Sequence, residues 1–117
     1  MKTSMHFLSS FVFPVPPSLD DANVVDKPKV VVNRTVLLEC PVSGVPPPKV
    51  TWLRNGENLV LNDHMTLLSD GRNLEIKRAQ ETDTARYTCI ASNEAGELQQ
   101  NFDLQILGKD DIILKNG

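Results

Sequence analysis

Several residue types and patterns are scarce in this sequence, and each scarcity excludes a class of function. Its 117 residues hold one tryptophan, one tyrosine, two histidines and two cysteines. A zinc site takes about four closely grouped ligands. His6 and His64 lie far apart in the chain, so both are read as ordinary surface residues, and neither a metal nor a cofactor is expected. No apolar run reaches the roughly 18 residues of a spanning helix, so no segment of this chain is expected to cross a bilayer that way. No basic stripe is present and the net charge is -3, so nucleic acid is not an expected partner. There is no G-x-S-x-G elbow and no phosphate-binding glycine loop. Neither histidine has a nucleophile to activate. No catalytic residue is assigned, and an enzyme is not expected. The pairs Asp20-Asp21 and Asp110-Asp111 do not form a dyad, because neighbours on a strand point to opposite faces. They are read as solvated surface.

Long helices are also missing. Eight prolines and frequent turn dipeptides break the chain into short pieces. What remains is alternation with a period of two, the mark of half-buried strands. Val36, Leu38, Cys40 and Val42 share one face of a strand predicted over 35–42. GVPPP at 44–48 predicts an extended connection. Lys49–Arg54 alternates again, with Val50 and Trp52 inward, and ends at the strong turn Asn55-Gly56. Shorter strands are predicted at 29–33, 59–61 and 65–68. After Asp70-Gly71, Leu74 and Ile76 point inward. One helical turn fits 78–84. Tyr87, Cys89 and Ala91 then face inward along 85–92, and Phe102, Leu104 and Ile106 do so along 97–107. Strand-sized runs with turns every eight to twelve residues or so indicate an all-β sandwich or barrel.

The few special residues converge on that pattern. Cys40 and Cys89 each sit centrally on the inward face of a strand, and two such thiols on facing sheets can come within bridging distance. Trp52 occupies the inward phase of its own strand and can fill the space between sheets. Tyr87 stands two positions before Cys89, from where its hydroxyl can reach the backbone of 80–84. Asp83 is expected to cap that segment or to pair with a nearby base.

Cys40, Trp52, Asp83, Tyr87 and Cys89 together match the pattern of the immunoglobulin superfamily. GVPPPKVTW, the NG that follows it, DGRNLEI and Asn93-Glu-Ala-Gly96 make the chain resemble its intermediate set, or I-set, over residues 16–107. VPPS at 15–18, CPVSGVPPPKVTWLRNGENL, AQETDTARYTC and NEAGELQQNFDLQIL resemble repeats of hemicentin-type extracellular-matrix proteins. The resemblance implies an antiparallel β-sandwich of two sheets with one inter-sheet disulfide, Cys40–Cys89. Trp52, Tyr87, Asp83, Leu38, Leu74 and Ile76 would be its structural residues. It also implies a non-catalytic adhesion or matrix module, one unit of a tandem array. The partners would be other immunoglobulin-like domains or matrix and cell-surface proteins. Two departures stand out. Ala85 occupies a position where I-set domains usually carry glycine. His64 lies near the place of an arginine that often pairs with the acid at 83, leaving Arg72 or Arg86 as substitutes.

The domain is expected over 15–107, with poorly ordered segments at 1–14 and 108–117. Lys2 and the apolar stretch 7–13 have the look of a secretory leader, but serines interrupt it and no small-x-small cleavage site follows. The favoured reading is the plainer one, that Phe11 and Val12 belong to a preceding strand or to a truncated gene model. Asn33-Arg34-Thr35 is an N-glycosylation sequon on a turn, where an N-linked glycan would be exposed; asparagine also suits such a turn for its own sake. Exposed Leu37 and the Leu59–Leu61 edge are the expected contact sites. The expected location is extracellular, secreted or in matrix. The alternatives are an intracellular sarcomeric I-set scaffold, whose thiols cytosol would keep reduced, and a single-domain secreted receptor-binding protein.

Overall fold

The structure is a computed structural model, and it describes residues 13–111. The leader-like stretch up to residue 12 and the tail from residue 112 lie outside the described residues. Ten strands follow one another: β1 (Val15–Leu19), β2 (Lys29–Val31), β3 (Val36–Glu39), β4 (Val42–Val45), β5 (Lys49–Arg54), β6 (Glu57–Asn58), β7 (Met65–Leu68), β8 (Asn73–Ile76), β9 (Ala85–Asn93) and β10 (Gly96–Leu107). One 3-10 turn, Glu81–Asp83, precedes β9. A five-stranded sheet has the order β2-β10-β9-β5-β6. Facing it are β3-β8-β7 and the ribbon β1-β4. The chain is therefore an all-β immunoglobulin-like sandwich, antiparallel except for β2, which runs parallel to β10.

The core follows the alternation. Val36, Leu38, Leu74, Ile76 and Met65 face inward from one layer, and Trp52, Tyr87, Ala91, Phe102, Leu104 and Ile106 from the other. Opposite register keeps like with like, with Leu38 across from Leu74 and Trp52 across from Cys89. Burying these side chains stabilises the sandwich by about 25 cal/mol per Å2 of apolar surface removed from water.

Two expectations are corrected. The strand predicted over 35–42 is two strands. Its first half pairs with β8, whereas Val42–Val45, expected in part as an extended connection, pairs with β1. Between them Pro41 has no amide proton to continue a ladder, and its carbonyl instead accepts from Asp20 N at 2.6 Å. The stretch 59–61 is not a strand. Leu59 turns inward onto the core, and its amide donates to Trp52 O at 3.1 Å. Val15–Leu19, for which the sequence pattern made no assignment, is also a strand despite its two prolines, which are tolerated at a bulged edge where no ladder proton is required.

Candidate interaction surface

The centre of the sandwich is built by the residues singled out above. Cys40 and Cys89 form the disulfide, with Cα atoms 6.5 Å apart, and no free cysteine remains among the described residues. Trp52 stacks on Phe102 with ring centroids 5.7 Å apart and 30° between planes. Its Nε1 donates to the carbonyl of Gly71 at 2.6 Å. Ser69, Asp70 and Gly71 all have positive φ, and this left-handed run turns that carbonyl toward the indole. Leu38, Leu74 and Ile76 are buried around the same centre.

Below it, Tyr87 is fully buried and its hydroxyl donates to the carbonyl of Asp83 at 2.7 Å. Burial pushes the Tyr87 phenol above its usual range. Asp83 is buried as well, and its Oδ2 accepts from the amide of Gln80 at 2.7 Å, tying off the start of the 3-10 turn. Among the described residues it forms no ion pair with His64, Arg72 or Arg86. The Arg86 guanidinium instead grips Asp103, with Nε to Oδ1 at 2.7 Å and Nη2 to Oδ2 at 3.1 Å. That hydrogen bond holds the Asp103 carboxyl below the usual range and raises Arg86. The base at the corner is Arg54, which the sequence reading missed. Its Nη2 donates to Thr82 O at 2.7 Å, its Nε to Tyr87 Oη at 3.4 Å, and its guanidinium lies 6.0 Å from the ring centroid. The signal was present, since Arg54 shares the phase of Trp52 and lies opposite Tyr87 in the ladder.

Asn93 was also underread. Assigned only to a turn, it clamps the other end of the molecule. Its Nδ2 donates to Val15 O at 2.8 Å and Pro46 O at 3.0 Å, while Oδ1 accepts from Ala95 N at 2.9 Å. Gly44 makes room for this clamp, because a Cβ there would stand 3.0 Å from Asn93 Nδ2 and 3.1 Å from Val15 O.

Among the described residues no group of three or more His, Cys, Asp or Glu side chains converges on a metal position. No buried side-chain nitrogen or oxygen among them lacks a hydrogen-bond partner. What the molecule offers outward is surface. Strands β6 and β7 are the edges of the two layers, and the six-residue link 59–64 carries the chain from one to the other, so both edges lie on one side. Val60 is 82% exposed there, beside exposed Leu61, Leu67 and Leu68. Leu37, 47% exposed, lines a cleft of about 250 Å3 between the segment 21–28 and β3. No helix among the described residues is long and apolar enough to cross a membrane.

A bridged pair of strands under a stacked indole, a tyrosine hydroxyl on the loop before β9 and a layer order with β2 switched onto β10 define an immunoglobulin domain. The family model of the immunoglobulin I-set domain matches residues 22–106, and the chain belongs to that family. Among its relatives, human Hemicentin-1 is 46% identical over 92 residues, covering 79% of this chain and 2% of that protein. Neural cell adhesion molecule 1 of Gallus gallus is 34% identical over 101 residues, covering 84% of this chain and 9% of that protein. The chain thus spans a small fraction of the length of these relatives. Among solved structures, the titin M3 domain superposes with a TM-score of 0.71 at 26% identity, covering 79% of this chain and 97% of that one.

Proposed function

We propose that this chain is a non-catalytic extracellular module whose work is protein–protein contact, one link of a tandem immunoglobulin array. The observation that carries this reading is the 46% identity to Hemicentin-1 combined with a match to only 2% of that protein's length. Such a module acts through its faces and ends. Its binding energy comes from polar surface with a few exposed apolar residues rather than from a deep pocket. The side formed by β6, 59–64 and β7 suits another immunoglobulin-like domain or a matrix protein, because unpaired edges accept partner strands and Val60 and Leu61 add apolar area.

Purified domain added to a matrix laid down by cultured cells and then stripped of them is expected to be retained. The double variant Val60→Asp/Leu61→Asp is expected to be retained several-fold less, since a buried interface charge without a partner is costly. Equal retention of both proteins moves the contact to another face, and no retention of either counts against the reading as a whole.

A second reading, an intracellular scaffold domain, draws on the likeness to titin M3. The two are separated by counting free thiols in the protein taken from its native cells. None is expected for an extracellular module, and two for a cytosolic one.

A further inference from the structure

We infer that Asn33 is an N-glycan acceptor, and that the glycan stands at the end of the sandwich where β10 finishes. The inference rests on the reading of the chain as one that enters the secretory pathway. The sequon Asn33-Arg34-Thr35 has no proline at its middle position, as acceptance requires. All three residues are exposed, on the turn between β2 and β3.

The hydrogen bonds at this turn divide the asparagine amide in a way that suits attachment. Asn33 Oδ1 accepts from Gln80 Nε2 at 3.2 Å, whereas no described residue takes a hydrogen bond from Asn33 Nδ2. A glycan replaces one proton on Nδ2 and leaves Oδ1 as an acceptor, so the contact to Gln80 survives modification. The backbone is anchored independently of the side chain. Asn33 N donates to Ala79 O at 2.7 Å, and Ala79 N donates to Arg34 O at 2.9 Å. Asn33 adopts φ of 74°, a left-handed turn that asparagine tolerates better than most side chains. The folded chain can therefore carry the sugar without rearrangement of the turn. Its position follows from one further bond, Val32 N to Leu107 O at 2.8 Å, which holds the turn beside the end of β10. The sugar leaves from a strand end, away from the centre of either sheet face.

The donor is an oligosaccharide linked to a lipid diphosphate. The Asn33 Nδ2–C1 bond to the first sugar forms, the sugar C1–O bond to the diphosphate breaks, one amide proton is released, and the lipid diphosphate leaves. No oxidant or reductant takes part.

The chain is secreted from cultured animal cells behind an added leader, and its intact mass is read before and after peptide-N-glycosidase, in medium and in lysate. Wild type is expected to carry a sugar mass that the enzyme removes, leaving aspartate at position 33. Thr35→Ser should keep it, and Thr35→Ala and Asn33→Asp should abolish it. Both Thr35 variants change only an exposed side chain, and Asn33→Asp keeps the Oδ acceptor, so loss of the sugar in them is not loss of the fold. An unmodified wild-type mass in bridged, secreted protein overturns the site while leaving the secretory reading intact. The protein from its native cells separates the two claims. Bridged and glycosylated supports both, bridged and bare overturns the site alone, and reduced and bare overturns both.

Discussion

Tyr87 shows how much one hydroxyl decides. It is buried on all sides, and its single donated bond satisfies the carbonyl of Asp83, which the loop before β9 has no strand to satisfy. Tyr87→Phe keeps the ring and orphans the carbonyl. Leaving a buried acceptor unpaired costs about 1–3 kcal/mol. Urea unfolding is expected to show a loss in that range with an unchanged slope, and a loss near zero would mean that water replaces the hydroxyl. Asp103 makes a different point, since both it and Arg86 are exposed and their pair contributes little. Its carboxyl is held below its usual 3.8 by the Arg86 hydrogen bond. A depressed acid contributes stability above its unfolded value and loses it as pH falls through the folded value. Asp103→Asn should therefore melt slightly below wild type at neutral pH, and the gap should close as pH falls through and below the usual carboxylate range. A gap that persists at acid pH would assign the effect to something other than charge.

At the scale of elements, turns set the register on which the core depends. Asn55 and Gly56 have φ of 50° and 84°, the doubly left-handed pair of a tight hairpin, and they join β5 to β6. A Cβ at Gly56 would meet nothing within 4 Å, so its constraint is conformational alone. An L-residue in the left-handed region costs about 1–2 kcal/mol. Gly56→Ala is expected to lose that much and Gly56→Asn clearly less, measured by chemical denaturation; equal losses would show that the turn changes type. The Asn55-Gly56 hairpin and the strands 85–92 and 97–107 were legible in sequence, because alternation and turn chemistry are local. The division of 35–42 between two partners was not. A period of two says which side chains face inward, and says nothing about which neighbouring strand takes up the hydrogen bonds.

For the whole molecule the disulfide is the largest single constraint. Cys40 and Cys89 are separated by 49 positions, and closing a loop of that length is worth about 4 kcal/mol on the chain-entropy account. A small domain has only about 5–15 kcal/mol of net stability. The double variant Cys40→Ala/Cys89→Ala is expected to remain folded at room temperature with its unfolding midpoint sharply lowered, read by tryptophan fluorescence of Trp52. An unchanged midpoint would mean that the packed indole and core suffice without the bridge.

The sequence alone determined the inward set, Leu38, Cys40, Trp52, Leu74, Ile76, Tyr87 and Cys89, because burial follows from periodicity and residue type. It also carried the sequon, which depends on three adjacent residues. Only the tertiary structure decided that Arg54 and not His64, Arg72 or Arg86 attends the tyrosine corner, that Asn93 ties β1 to the proline loop, and that Leu59 turns inward while Val60 faces water. Those outcomes depend on which distant backbone carbonyls and side chains arrive within about 3 Å of one another. Register between strands sets that distance, and it is fixed when both sheets close over a shared core.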